Sequence, residues 1–177
     1  MAGLKIITQS NILPVTVTEL KQTLRIDPDN FDQDAELSMM LKSSIKTLEE
    51  YTGRSFITKT YDLALDTIPH YQGDRLIEGF STGAFMDNTA NEIVFPKSPL
   101  VSVASFKYYN DSDVESTFAS SNYYVDNHSE PPRLVLRRSQ TFPDVASLRV
   151  ANAFIIRFDA GYGAAAKDVP ETIKQAI

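Results

Sequence analysis

A single change of period organises this chain. Before Gly53 the apolar residues recur at helical spacing, and after it they alternate in twos. Leu37, Met40, Leu41, Ile45, Leu48 and Tyr51 fall at three- and four-residue steps, which predicts one apolar stripe along a helix over 34–52. Asp32, Asp34 and Glu36 stand at its start, where carboxylates meet the positive end of the helix dipole. Gly53 is placed to close the far end in the left-handed conformation. Beyond it, Tyr61, Leu63 and Leu65 alternate with Asp62, Ala64 and Asp66, the pattern of a strand with one buried face.

A shorter helix precedes the first, over 17–24. Thr16 and Glu19 have the spacing of a capping box, and Val17, Leu20 and Leu24 share a face. Asp27, Pro28, Asp29 and Asn30 make the turn between the two helices. Such a hairpin leaves an apolar face that another element must cover. Further strands are expected at 92–95, 101–109, 123–125, 133–136 and 153–160, separated by turn-rich clusters, as in an antiparallel meander or small sandwich. In the last of these, Phe154, Ile156 and Phe158 line one face and Ile155 the other, so it belongs in the middle of its sheet. The stretch 70–90 has no such order and reads as a long loop reaching toward a neighbouring molecule, or as a plain surface insertion. Pro170 opens a final helix through Ile177, about two turns long and too short to hold alone. It packs on a partner, or the chain continues.

Composition narrows the function classes. No apolar run reaches the roughly 20 residues a membrane span needs, and the polar start MAGLKIITQS lacks the core of a secretory signal. Cysteine is absent, which removes disulfides, thiolate nucleophiles and Cys-based zinc sites. With 17 basic against 23 acidic residues, the net charge of −6 argues against a dedicated nucleic-acid binder. An acidic surface could still line a path that DNA crosses without sticking, although ordinary solubility charge is the plainer and favoured explanation.

Chemistry is hard to find. The two histidines, His70 and His128, both fall in loops, and no metal-ligand spacing or serine elbow accompanies them. Glu49–Glu50 reads as the solvent side of the long helix, and Asp111, Asp113 and Glu115 as a hairpin turn. Gly161-Tyr162-Gly163 lacks the rest of a phosphate-cradling signature and reads as a glycine turn between a strand and a helix. Arg137-Arg138 is too small a basic patch for nucleic acid. Neither catalytic residues nor a cofactor or metal site is expected.

Five segments, taken in order, resemble the head–tail connector (adaptor) family of long-tailed bacteriophages: LKQTLRIDPDNFDQD at 20–34, LEEYTGRSFITKTYDLALDTIP at 48–69, FPKSPLVSVASFKYYNDSD at 95–113, YYVDNHSEPPRLVL at 123–136 and FDAGYGAAAKDVPETIKQAI at 158–177. The resemblance implies an α+β fold in which an N-terminal helical hairpin and a C-terminal helix form a helical core carrying an inserted antiparallel β lobe. Residues 1–55 would be the helical part, 56–160 the β lobe with its loop at 70–90, and 161–177 the turn and helix that complete the core. It further implies a homo-oligomeric ring, twelve-fold in the virion. The ring would dock on the portal protein and receive a stopper or tail-completion protein, with DNA only as passing cargo and no membrane. The chain would reside in the virion neck, and in the host cytoplasm during assembly.

Such a subunit needs contact surfaces, and aromatic side chains are favoured as anchors. The candidates are Phe80, Phe85 and Met86 in the long loop, Tyr108, Tyr109, Tyr123 and Tyr124 on the β lobe, and Ile173 and Ile177 in the last helix. Two rival readings remain. One is a tail-completion or stopper protein of the same neck; the other is a carboxylate-based hydrolase using Asp111, Asp113 or Glu115.

Overall fold

The computed structural model describes residues 2–68 and 92–177. In chain order its elements are β1 (Ala2–Gln9), α1 (Val17–Leu24), α2 (Asp34–Thr52), β2 (Lys59–Leu65), β3 (Glu92–Val94), β4 (Leu100–Tyr109), β5 (Glu115–Thr117), β6 (Tyr123–Asp126), β7 (Arg133–Leu136), β8 (Phe154–Ala160) and α3 (Glu171–Ala176). Helices and antiparallel sheets together make the fold α+β, as expected. Among the described residues no helix is long and apolar enough to cross a membrane.

The helix signals work as the sequence predicts. Thr16 Oγ1 accepts from the Glu19 N–H at 3.2 Å, and the Glu19 carboxylate accepts from the Thr16 N–H at 2.7 Å, so the capping box is closed. Gly53 ends α2 with φ of 65°. The stripe along α2 is narrower than its spacing suggests. Leu37, Leu41 and Ile45 are buried, but Met40 and Tyr51 are exposed, because Phe56, Ile57 and Val169 cover only one side of the helix.

Five strands form one sheet in the order β1-β2-β8-β4-β5, and three form a second, β3-β7-β6, all pairs being antiparallel. The central place expected for β8 is the one it occupies. Period two then sorts its faces: Phe154, Ile156 and Phe158 point inward with Tyr61, Leu63 and Leu65 of β2 directly opposite. The second sheet covers this face with Ile93, Tyr123, Leu134 and Leu136, giving one sandwich core. Phe106 lies in its middle, with the rings of Phe118, Tyr123, Phe142 and Phe154 between 5.0 and 6.2 Å away. The outer face of the large sheet is polar. There Arg157 grips Asp62 with two bonds of 2.7 and 2.8 Å, and Asp159 accepts from Thr60 and Ser102.

A second core lies among the helices. Leu41, Ile45, Phe56, Ile57 and Val169 are buried there, with Leu20 of α1 and Ile173 and Ile177 of the C-terminal segment packed against them. Two elements escape the sequence reading. β1 pairs with β2, so the chain begins in the sheet, and β5 adds a three-residue edge beyond β4.

Candidate assembly interface

A molecule that works through contacts needs rigid surfaces, and here rigidity starts where the helices meet the sheets. Glu49, near the end of α2, is 8% exposed. It was expected on the solvent side of the helix, and the structure corrects this. Its Oε1 accepts from the Phe56 N–H at 2.8 Å, its Oε2 pairs with Lys59 of β2, and its carbonyl accepts from Lys97 Nζ at 3.0 Å. Burial pushes the Lys97 ammonium below its ordinary value, although the Glu49 charge opposes that shift. Beside this cluster Ser55 and Tyr61 share a 2.5 Å hydrogen bond, and burial raises the Tyr61 hydroxyl to about 12. Arg54 donates to the Tyr162 hydroxyl at 2.7 Å and pairs with Glu130. Glu50, the neighbour of Glu49, is exposed as expected.

A second polar latch orders the turn between the helices. Lys21 of α1 is 2% exposed. Its ammonium donates to the Asn30 carbonyl at 2.7 Å and the Pro28 carbonyl at 3.4 Å, pairs with Asp34, and lies 4.9 Å from the centre of the Phe31 ring. The outer side of that ring is open, leaving Phe31 70% exposed on a turn whose backbone is fixed.

The surface candidates now separate. Tyr123 is 6% exposed and its ring stacks on Phe118, so it is a core residue and cannot reach a partner. Tyr124, one residue on, faces outward and is exposed. Tyr108 packs half-buried against the sandwich core. Tyr109 is also half-buried; its hydroxyl donates to Glu115 at 2.6 Å and its ring carries the Arg149 guanidinium at 3.9 Å. Ile173 and Ile177 are half-buried against the helical core. Phe80, Phe85 and Met86, and the loop at 70–90, lie outside the described residues.

Sequence reasoning missed several open apolar surfaces. Every residue of β1 is exposed, and among the described residues no strand pairs with its outer edge. Leu4 and Ile6 stand opposite the buried Leu63 and Tyr61, so the core-facing side of the sheet continues one strand beyond its cover. An edge of this length with apolar side chains is a template for association. We expect Ile6→Lys, at 47% exposure, to leave folding stability within about 0.5 kcal/mol. It should also lower light scattering by concentrated protein, and unchanged scattering would show that β1 is not sticky. The other open surfaces are Phe31, Met39, Met40 and Tyr51 around α2. A groove of about 370 Å³ lies between α2 and α3, lined by Leu48, Arg54, Phe56, Tyr162, Pro170 and Ile173. The run KIIT in β1 was the signal available for the first of these, and the flank of the α2 stripe for the second.

The groups weighed for chemistry take structural places. Asp111 and Asp113 lie exposed in the β4–β5 hairpin, whose turn is closed by the Asp113 N–H on the Asn110 carbonyl at 3.0 Å. Glu115 is bound by Lys107 and Tyr109, and these bonds hold its carboxyl below the usual range. The hairpin stands exposed, with Glu115 held by Lys107 and Tyr109 and Asp113 by Arg149. His128 is exposed in the β6–β7 turn. The glycine turn at 161–163 threads between Pro99 and the backbone of 56–58, with Gly161 N–H on the Pro99 carbonyl at 2.9 Å and Thr58 N–H on the Gly163 carbonyl at 2.9 Å. Among the described residues no three His, Asp or Glu side chains converge as metal ligands would.

Comparison with known families names the kind of part these surfaces belong to. The phage gp6-like head-tail connector proteins match over residues 14–131, from just before α1 to the turn between β6 and β7. The chain belongs to this family. Head–tail connectors are structural proteins, which puts the weight on the connector's surfaces. No curated protein matches the connector chain. Its fold is similar to that of a chain in "Virion of native gene transfer agent (GTA) particle", with 18% identity and a TM-score of 0.69 over 97% of this chain and 78% of that one. A chain in "Neck of empty GTA particle computed with C6 symmetry" gives 18% identity and 0.68 over 98% and 78%. One in "Neck of native GTA particle computed with C12 symmetry" gives 18% and 0.65 over 98% and 77%. These likenesses extend the shared fold through β8 and α3, beyond the span of the family match.

Proposed function

We propose that this connector is the adaptor subunit of a phage-like particle, forming a twelve-fold ring that docks on the portal and extends the DNA channel toward the tail. Membership of the head–tail connector family carries the reading, and the fold shared with chains of gene transfer agent necks solved with six- and twelve-fold symmetry supports the ring. On this reading α1, α2 and α3 act as one helical core bearing the β lobe of 56–160, and β1, expected within the helical part at 1–55, belongs instead to the sheet of the lobe. A stopper or tail-completion protein binds the opposite side of the ring from the portal. DNA passes as cargo, and the acidic balance of the chain keeps that passage free of tight contacts. The subunit waits in the host cytoplasm and ends in the virion. It acts by shape and catalyses nothing.

Electron microscopy of the intact particle neck tests this directly. The expected map contains the chain as a closed ring against the portal. A ring one layer further down would make it a stopper, and a neck without the chain would end the proposal.

A further inference from the structure

The two ends of α2 carry features that fit each other but cannot meet within one subunit. At the N-terminal end is Phe31, held out from the turn by the buried Lys21 and bordered by exposed Asp27, Asp29, Asp32 and Glu36, which make no ion pair among the described residues. At the C-terminal end is the groove between α2 and α3, about 370 Å³ and mainly apolar, with Arg54 as the cation in its wall. The helix between them has 19 residues, so about 28 Å separates its ends.

We propose that Phe31 of one copy seats in the α2–α3 groove of the next copy, and that this heterologous contact builds the ring. The inference rests on the ring reading above and names the surfaces it would use. Three properties support it. An apolar anchor inside a charged rim has the anatomy of an interface centre. The Lys21 latch fixes the turn beforehand, so little ordering entropy is lost when the ring docks. Charge is complementary as well: the carboxylates beside Phe31 would meet Arg54, whose bonds to Tyr162 and Glu130 engage two of its five N–H donors. Because donor and acceptor surfaces differ and lie at opposite ends of one rod, each contact leaves both a free anchor and a free groove. Such a contact propagates from copy to copy until rotation closes it.

The absence of cysteine makes the test clean. Asp32→Cys beside the anchor is combined with Thr172→Cys on the groove, both exposed positions, and the full chain is assembled into particles under reducing conditions. Oxidation should then give a covalent ladder climbing to the whole ring, while either single variant gives none. Chains present in the neck that remain monomeric on oxidation, or that stop at dimers, overturn the proposal and leave the ring reading standing. Absence of the wild-type chain from the neck fails the ring reading itself, before any oxidation. A second variant, Ala176→Phe, fills the groove from an exposed position. Its expected effect is a loss of neck incorporation of at least about tenfold, the counterpart of 1.4 kcal/mol, with an unchanged melting temperature for the free subunit. Normal incorporation would sink the contact.

Discussion

Replacing Glu49 by leucine is expected to remove about 3–5 kcal/mol of folding stability, although the position lies on a helix beside an exposed glutamate. The carboxylate joins three parts of the chain: the helix that bears it, the Phe56 N–H in the linker and the Lys59 ammonium on β2. The Lys97 ammonium, bonded to the carbonyl of the same residue, also draws on its charge. Leucine would leave two cations in a poorly solvated place and one buried N–H without an acceptor. Glu49→Gln keeps an oxygen for Phe56 but loses the charge, so its loss should be smaller. Urea unfolding of the two variants at an unchanged m-value would measure this. A leucine variant within about 1 kcal/mol of the parent would mean that apolar packing replaces the cluster, as it does for some buried ion pairs. The consequence for assembly is direct. If this staple fixes the helices on the sandwich, a ring built through the helices positions the β lobe as well.

Why was Glu49 misread, and Thr16 read correctly? The capping box is local, with its two partners three residues apart, and its chemistry is complete within the sequence window. The partners of Glu49 lie seven, ten and 48 residues away, and hydropathy patterning assigns any charge to water. Lys21 was lost for the same reason, since Asp34 thirteen residues on pairs with it and the turn's carbonyls, which no side-chain pattern records, solvate it. Periodicity gave the phase of α2 but not the width of its cover, so Met40 and Tyr51 were drawn into a stripe that ends short of them. The pair Tyr123 and Tyr124 shows the limit for surfaces. Period two requires one inside and one outside, but the choice depends on register against β7, where Tyr123 faces Leu136 and Tyr124 faces Val135. β1 stayed hidden because its partner strand lies far along the chain, with Leu4 opposite Leu63. The interface, made of what remains uncovered, could be read only once the covering elements were in place.

The glycine turn after β8 supplies the other large effect. Gly161→Ala is expected to cost about 3 kcal/mol or more, from overpacking added to backbone strain. Gly161 has φ of +148°, which side chains rarely adopt, and an added Cβ would lie 2.5 Å from the Thr58 nitrogen and 2.8 Å from the Ile57 carbonyl carbon. These are backbone atoms that cannot swing aside. Moving either segment would break the bonds from Gly161 N–H to the Pro99 carbonyl, Tyr162 N–H to the Phe56 carbonyl and Thr58 N–H to the Gly163 carbonyl. Together these bonds set where the chain leaves the sheet for α3. Gly163→Ala is the informative comparison. Its Cβ would lie 2.4 Å from the Asp168 Cβ, which no side-chain rotation moves, so the 165–168 turn must shift and give up the 3.0 Å bond from the Ala165 N–H, whereas Gly161 adds a left-handed φ and a clash with main-chain atoms. Thermal unfolding of both variants should therefore place Gly161→Ala below Gly163→Ala, with both below the parent. Small losses in both would show that this turn is merely flexible. A larger loss at Gly161 would mean that this glycine turn is a structural close approach, seating Tyr162 and Ile173 at the groove where a neighbouring copy is proposed to bind.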